Sequence, residues 1–140
     1  MRIVFLIVLL FPIALRAQTK GATAVQVGDT SEKVFVKVEV EASVDAELWI
    51  VHLTRHLQSP IKKAARKGMK VGQYMVQVRF LVEKDGSIND VQALNDPGYG
   101  LAAAAVKALK TGPKWKPGEQ DGRKVRSYHT QPITFIIQEE

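Results

Sequence analysis

The chain has 140 residues, a formal net charge of +6, and a composition that is 46% hydrophobic and 24% charged. These totals predict one folded domain and exclude collagen-like, low-complexity and wholly disordered chains. The lack of cysteine excludes disulfides and thiolate zinc sites. The positive charge by itself admits nucleic acid, an anionic membrane or an acidic protein as partner.

The amino-terminal segment has the layout of a secretory signal peptide. An apolar run over residues 3–15 follows Arg2, and the small residue Ala17 offers a cleavage position. Because this run is shorter than the roughly 20 residues that a spanning helix needs, a retained membrane anchor is the weaker interpretation. We therefore expect residues 1–17 to be removed on export, which largely excludes nucleic acid as a partner.

A Gly-, Thr-, Ala- and Ser-rich stretch over residues 18–33 predicts a flexible lead-in to one domain over residues 34–140. From Val34 to Glu41, valines alternate with other residues, which predicts a half-buried strand. A helix follows, with Ser43 or Asp45 as its cap. Its buried stripe recurs every four residues at Trp49, Leu53 and Leu57.

Pro60 predicts the start of a second, short helix, which Gly68 ends. Strict alternation then predicts a strand from Gly72 to Val82. The polar turn over residues 84–87 joins it to a partner strand over residues 88–94, which is a hairpin signal.

A turn over residues 95–98 precedes an Ala-rich helix, which residues 111–113 close. The chain ends in a strand over residues 125–138, where Pro132 argues for an edge position or a bulge. This order predicts an α+β fold, with a small antiparallel sheet that carries helices packed on one face. Such a sheet cannot close into a barrel, so at least one edge must be protected or used.

Three groupings of polar residues suggest chemistry, and none completes a site. His52 and His56 lie one helical turn apart, but the glutamate of a metalloprotease motif and a third ligand are missing, which favours two solvated histidines. The turn at Asp85 lacks the glycine and the distal glutamate of a calcium loop. Ser127 and His129 lack a nucleophile elbow, which favours a strand with polar outward positions over a hydrolase. We expect no enzyme, no cofactor and no metal.

A basic cluster marks the predicted second helix and could contact phosphate or lipid headgroups. No aromatic residues are interleaved with it, as stacking on nucleic acid would require. A solvated helix face is the favoured interpretation, and a membrane surface is the alternative. The cluster comprises Lys62, Lys63, Arg66, Lys67 and Lys70.

Five ordered blocks of the sequence resemble the TonB C-terminal domain family, in a form similar to the short TonB-like proteins of Bacteroidetes. The resemblance covers roughly residues 34–138. The blocks are Val78-Arg79-Phe80-Leu81-Val82, Lys84-Asp85-Gly86-Ser87-Ile88-Asn89-Asp90-Val91, Pro97-Gly98-Tyr99-Gly100-Leu101, Lys114-Trp115-Lys116-Pro117-Gly118 and Gln131-Pro132-Ile133-Thr134-Phe135.

The resemblance implies the same α+β fold and a protein-binding function. Family members bind the TonB box of an outer-membrane receptor, which adds as a strand to the sheet edge, a mode known as β-augmentation. A second contact region matches Gln58 and Pro60, although Ser59 replaces the usual tyrosine. The final strand is the implied docking edge, with Gln131, Ile133, Thr134, Phe135, Ile136, Ile137 and Gln138 as partner-binding residues.

Full energy transducers in this family have an uncleaved amino-terminal helix that engages an ExbB/ExbD-type motor, followed by a long Pro-rich spacer. Here six prolines are scattered through the chain, and a fully extended lead-in reaches only about 55 Å. We therefore predict a periplasmic binding module in TonB-dependent transport. A membrane-anchored transducer that retains residues 3–15 is the alternative, an unrecognised hydrolase is a further one, and edge strands also permit a homodimer.

Overall fold

The computed structural model describes residues 24–25 and 33–139. The predicted signal peptide and most of the lead-in lie outside the described residues. The strands are β1 (Ala24–Val25), β2 (Val34–Phe35), β3 (Gly72–Val82), β4 (Ile88–Ala93), β5 (Glu119–Gln120), β6 (Arg123–Lys124) and β7 (Arg126–Ile137). The helices are α1 (Ala46–Arg66) and α2 (Leu101–Lys110).

The main sheet has the strand order β1-β2-β7-β3-β4, and β5 and β6 form a separate small hairpin. The long strands β3 and β7 pair antiparallel over their whole length, from Gly72 opposite Ile137 to Val82 opposite Ser127. The predicted α+β class is confirmed. The sheet is mainly antiparallel, with one short parallel pair between β2 and β7. Parallel neighbours need a long crossover, which here includes both helices and the β3–β4 hairpin.

Strand β2, which covers only Val34–Phe35, is much shorter than the strand that the valine alternation predicted from Val34 to Glu41. After Phe35 the chain bends away from the sheet. Val40 instead pairs with Glu119 of β5, and Ser43 pairs with Lys116 in the loop that precedes β5. Val38 is buried whereas Val40 is exposed. The predicted strand is therefore divided: its start pairs with β7, and its end pairs with the region around β5.

Helix α1 is continuous, so the prediction of two helices divided at Pro60 is wrong. Asp45 caps the amino end of α1, and its side chain accepts a hydrogen bond of 3.0 Å from the Leu48 amide. A proline inside a helix removes one hydrogen bond and costs about 3 kcal/mol. Packing offsets this cost, because Leu57 and Ile61 on either side of Pro60 are both buried against the sheet.

Both helices cover the same face of the sheet, as expected. Helix α1 contacts β7, and α2 contacts β3 and β4. Neither helix in the described ranges has the length and apolar character needed to cross a bilayer. The core between the helices and the sheet includes Trp49, Leu53, Phe80, Val76, Leu101, Leu109, Trp115, Ile133 and Phe135.

Candidate peptide-docking edge

The backbone of β7 turns alternate hydrogen-bonding groups away from β3. On β3, Gln77 accepts a hydrogen bond from the Leu94 amide, and its own amide donates to Asn95 Oδ1. Both backbone groups of Gln77 therefore point towards β4. Gln77 lies opposite Pro132. In a non-hydrogen-bonded antiparallel pair of this kind, the backbone N–H and C=O groups of each residue point away from the opposite strand. The carbonyl of Pro132 thus faces the other edge of β7.

The same alternation turns outward the backbone groups of Thr130, Thr134 and Ile136. Proline has no N–H, so Pro132 contributes only its carbonyl to this row. That carbonyl accepts a bond of 3.2 Å from its neighbour Gln131. The row thus offers three amide donors in an uncharged stretch of strand.

Within the described part of the chain, this outer edge is unpaired over most of its length. Strand β2 lies beside β7 only at Arg126 and Ser127. From residues 128 to 137, no other described strand pairs with the outer edge of β7. Strand β7 therefore has a described strand on both sides at its amino end, and a described strand on one side only at its carboxyl end. An open edge of this kind is a template for pairing with another chain.

The side chains of β7 divide strictly between the two faces of the sheet. Ile133, Phe135 and Ile137 are buried in the core beneath α1. They were predicted as partner-binding residues, but their side chains have no free surface. Thr134 and Ile136 are half-buried on the face opposite the helices. A docked strand would therefore meet β7 through the backbone groups of the even-numbered residues.

The remaining predicted partner-binding residues do not form one surface. Gln131 is half-buried, and Gln138 is exposed beyond the end of β7. Gln58 is exposed on α1, among the outward lysines. Pro60 lines a depression with Tyr99 at the start of α2, and α2 packs over β3 and β4 rather than at the open edge. The predicted roles of Gln58 and Pro60 stay predictions.

Two residues that face the open edge, Thr130 and Pro132, were missing from the predicted site. The apolar alternation at Ile133 and Phe135 does indicate that even-numbered residues share the opposite face. It does not show whether their backbone groups point to β3 or away from it. Only the register between β3 and β7 decides that direction.

The amino end of β7 is enclosed by the loop that precedes β5. Gly118 approaches so closely that a Cβ built there would lie 2.7 Å from Ser127 Oγ. Ser127 is buried, and its hydroxyl has no hydrogen-bond partner among the described residues. The prediction that Ser127 and His129 point outward is wrong. Both lie on the helix-covered face, because they share the parity of Ile133 and Phe135.

His129 packs between aromatic rings at this end. Its ring centroid lies 5.6 Å from that of Phe80 and 5.1 Å from that of Trp115. Burial lowers the pKa of His129 below its usual value, and the carboxylate of Glu41, 3.7 Å away, partly opposes this shift. The neutral imidazole is therefore favoured by its surroundings. Trp115 is itself buried in the core.

Polar contacts on β7 and its neighbours reinforce the amino end. The Arg126 guanidinium donates to both carboxylate oxygens of Glu83, at 2.6 and 3.0 Å. This hydrogen bonding lowers the pKa of Glu83 below its usual value. Tyr128 donates to Asp90 at 2.9 Å, which raises the pKa of Tyr128, and Arg79 stacks 4.0 Å from the centre of the Tyr128 ring.

One of the two histidines of α1, His52, is only partly exposed, contrary to expectation. His52 Nε2 donates to the Ala108 carbonyl at 2.8 Å, so this ring joins α1 to α2. His56 is exposed, and its Nδ1 donates to the His52 carbonyl at 2.9 Å. No cluster of three potential metal-ligating side chains occurs in residues 24–25 and 33–139. In the turn, Asp85 accepts from Ser87.

The comparisons with known proteins agree with this architecture. Residues 62–137, more than half of the chain, match the family described as Gram-negative bacterial TonB protein C-terminal. The chain therefore belongs to the TonB C-terminal domain family. That family acts in TonB-dependent transport and interacts with outer-membrane receptors. A search of curated proteins found no match.

Proposed function

We propose that this protein binds a peptide segment of a TonB-dependent outer-membrane receptor by strand addition to the outer edge of β7. The observation that supports this proposal is the stretch from residue 128 to residue 137, whose outer edge pairs with no other strand among the described residues. Its donors at Thr130, Thr134 and Ile136 recur with the two-residue spacing of a β-ladder. Each net backbone hydrogen bond contributes about 0.5–1.5 kcal/mol. Side chains on alternate positions of the docked peptide would supply selectivity.

The shape of the edge suits a foreign strand. The open stretch carries no charged side chain, whereas natural edges that avoid association often place lysine there. Pro132 is the one residue that makes this edge less suitable for a foreign strand, because it lacks an amide donor near the middle of the edge. The docked strand therefore loses one hydrogen bond there but keeps the Pro132 carbonyl as an acceptor.

The docking mode is tested with two variants at one position. Thr134→Pro removes an outward amide without touching the ladder to β3, and Thr134→Val keeps that amide while replacing the hydroxyl by a methyl group. Each variant and the wild-type chain are used as bait for detergent-solubilised outer membrane, and retained receptors are identified by mass spectrometry. We expect wild type and Thr134→Val to retain the same receptor and Thr134→Pro to lose it. Equal retention by all three baits would refute strand addition at this edge.

We also propose that the protein acts in the periplasm after removal of residues 1–17. The layout of Arg2, the apolar residues 3–15 and Ala17 supports this location. Amino-terminal sequencing of the protein from periplasmic and membrane fractions tests it. A mature chain that starts at Gln18 in the periplasm is the expected result. Retained Met1 in the membrane fraction would instead favour an anchored transducer coupled to an ExbB/ExbD-type motor.

A further inference from the structure

Helix α1 presents a second surface that strand docking does not use. Its solvent-facing stripe follows steps of three, four, seven and four residues, which place these positions on one side of a helix. This stripe lies opposite the buried stripe that packs on the sheet. Its members are Leu48, Val51, Arg55, Lys62 and Arg66.

The amino-terminal half of the stripe is apolar and strongly exposed. Leu48 and Val51 have 59% and 56% of their surface accessible. Neither belongs to the core, so their exposure contributes nothing to the fold. Large apolar side chains on the outward side of an amphipathic helix are typical of surfaces that enter the headgroup region of a bilayer.

The carboxyl-terminal half of the stripe is cationic. Two of its residues, Lys62 and Arg66, belong to the basic cluster defined from the sequence. All five side chains of that cluster are exposed. Between Glu47 and Glu83 the sequence contains no acidic residue. None of the cluster's cations forms an ion pair with a carboxylate within the residues that the structure describes.

The cations surround an open depression rather than a deep cleft. Gln58 and Ser59 line it beside Lys62, Lys63, Arg66 and Lys67. These groups supply charge and neutral donors suited to a phosphodiester oxygen. The stripe from Leu48 to Arg66 extends about 27 Å along the helix, which is a long, outward-facing surface.

We propose that the outward stripe of α1 binds the surface of a bilayer that contains anionic phospholipid. The cations contact the phosphates, and Leu48 and Val51 enter the headgroup boundary. An acidic peptide would satisfy the charges but would leave the apolar half of the stripe unexplained. Because the stripe points away from the sheet, the open edge of β7 stays accessible at the side of the bound domain.

Vesicle flotation of the full chain tests this proposal. Binding is compared between phosphatidylcholine vesicles and vesicles in which a third of the lipid is phosphatidylglycerol. The apolar residues 3–15 can adsorb to both, so the measured quantity is the ratio of the two affinities. Lys62→Glu combined with Arg66→Glu should lower this ratio at least tenfold, since each cation near such a surface contributes about 1 kcal/mol, or roughly fivefold in affinity.

The matched control is Arg123→Glu combined with Lys124→Glu. It makes the same change in net charge in the exposed β5–β6 hairpin, which follows the loop at the amino end of β7. We expect it to leave the ratio within about twofold of wild type, because charges beyond a Debye length are screened. Thermal unfolding confirms that both double variants are folded.

A third double variant, Leu48→Ser with Val51→Ser, should weaken binding to the anionic vesicles severalfold while the preference for them persists. Equal losses in the two charge-reversed variants, or no preference in the wild type, would overturn the proposal. Binding of a polyglutamate peptide without any preference for anionic vesicles would also overturn it, and would assign the surface to an acidic protein partner.

Discussion

The two ends of β7 differ in how the rest of the fold surrounds them. At the amino end, Ser127 and His129 are enclosed by a loop, by aromatic rings and by the pairing with β2. At the carboxyl end, residues 130–137 pair only with β3 among the described residues. One strand is thus enclosed at its start and has an unpaired outer edge at its end among the described residues. Substitutions at the two ends should therefore affect different measurements.

The largest expected effect concerns the hairpin turn that supports the enclosed end. Gly86 has φ +84°, and a Cβ built there would lie 2.1 Å from the Trp115 carbonyl oxygen. Gly86→Ala should therefore lower the free energy of unfolding by about 3 kcal/mol or more. Gly122→Ala is the control, because its φ is +71° with open space around it, and it should cost only about 1 kcal/mol. Urea unfolding of both variants measures the difference, and equal losses would contradict the close packing.

A pair of proline substitutions tests which backbone groups point outward at the open end. Gln131 lies opposite Val78 in the alternate, hydrogen-bonded type of pair. Gln131→Pro should therefore break the β3 ladder and destabilise the fold by about 2–3 kcal/mol. Thr134→Pro should cost about 1 kcal/mol or less, because the Thr134 amide points away from β3 and no other described strand lies beside it. Chemical unfolding distinguishes the two variants, and a larger loss for Thr134→Pro than for Gln131→Pro would contradict the outward direction of the Thr134 amide.

Adding an amide donor at position 132 should strengthen peptide binding at the open end of β7. Pro132→Ala adds an outward amide in the middle of the open edge. Affinity for a peptide from the receptor retained in the pull-down should rise about two- to tenfold, the value of one net hydrogen bond. Calorimetry measures this change. Unchanged affinity would mean that a bound peptide does not pair with this part of β7.

The smallest expected effect is the acid sensitivity of the enclosed end. Burial lowers the pKa of His129 in the folded state. As pH falls, His129 is therefore protonated in the unfolded chain at a higher pH than in the folded one. The contribution to stability is therefore full above the ordinary histidine pKa of about 6.5 and declines as pH falls below it. His129→Gln should flatten unfolding free energy against pH in this range. Glu41→Gln should steepen it, since the Glu41 carboxylate raises the pKa. Identical slopes in all three proteins would contradict this account.

Local patterns in the sequence predicted much of the fold. The alternation over residues 72–82 and at Ile133, Phe135 and Ile137 gave the strands and their buried face, and both are confirmed. The two wrong element predictions, at Val34 to Glu41 and at Pro60, have the same cause. In each, contacts with distant parts of the chain outweigh a local preference.

The sequence by itself determined the long strands, the Ala-rich helix and the buried stripe of α1 at Trp49, Leu53 and Leu57, because these follow from the 3.6- and 2-residue periods of the backbone. Only the tertiary structure decided the neighbours of β7 and therefore the direction of its free amides. Alternation fixes the face on which a side chain lies. The strand pairing sets which backbone groups are used, and it depends on parts of the chain far apart in sequence. The open edge is for this reason a property of the assembled sheet rather than of the residues that form it.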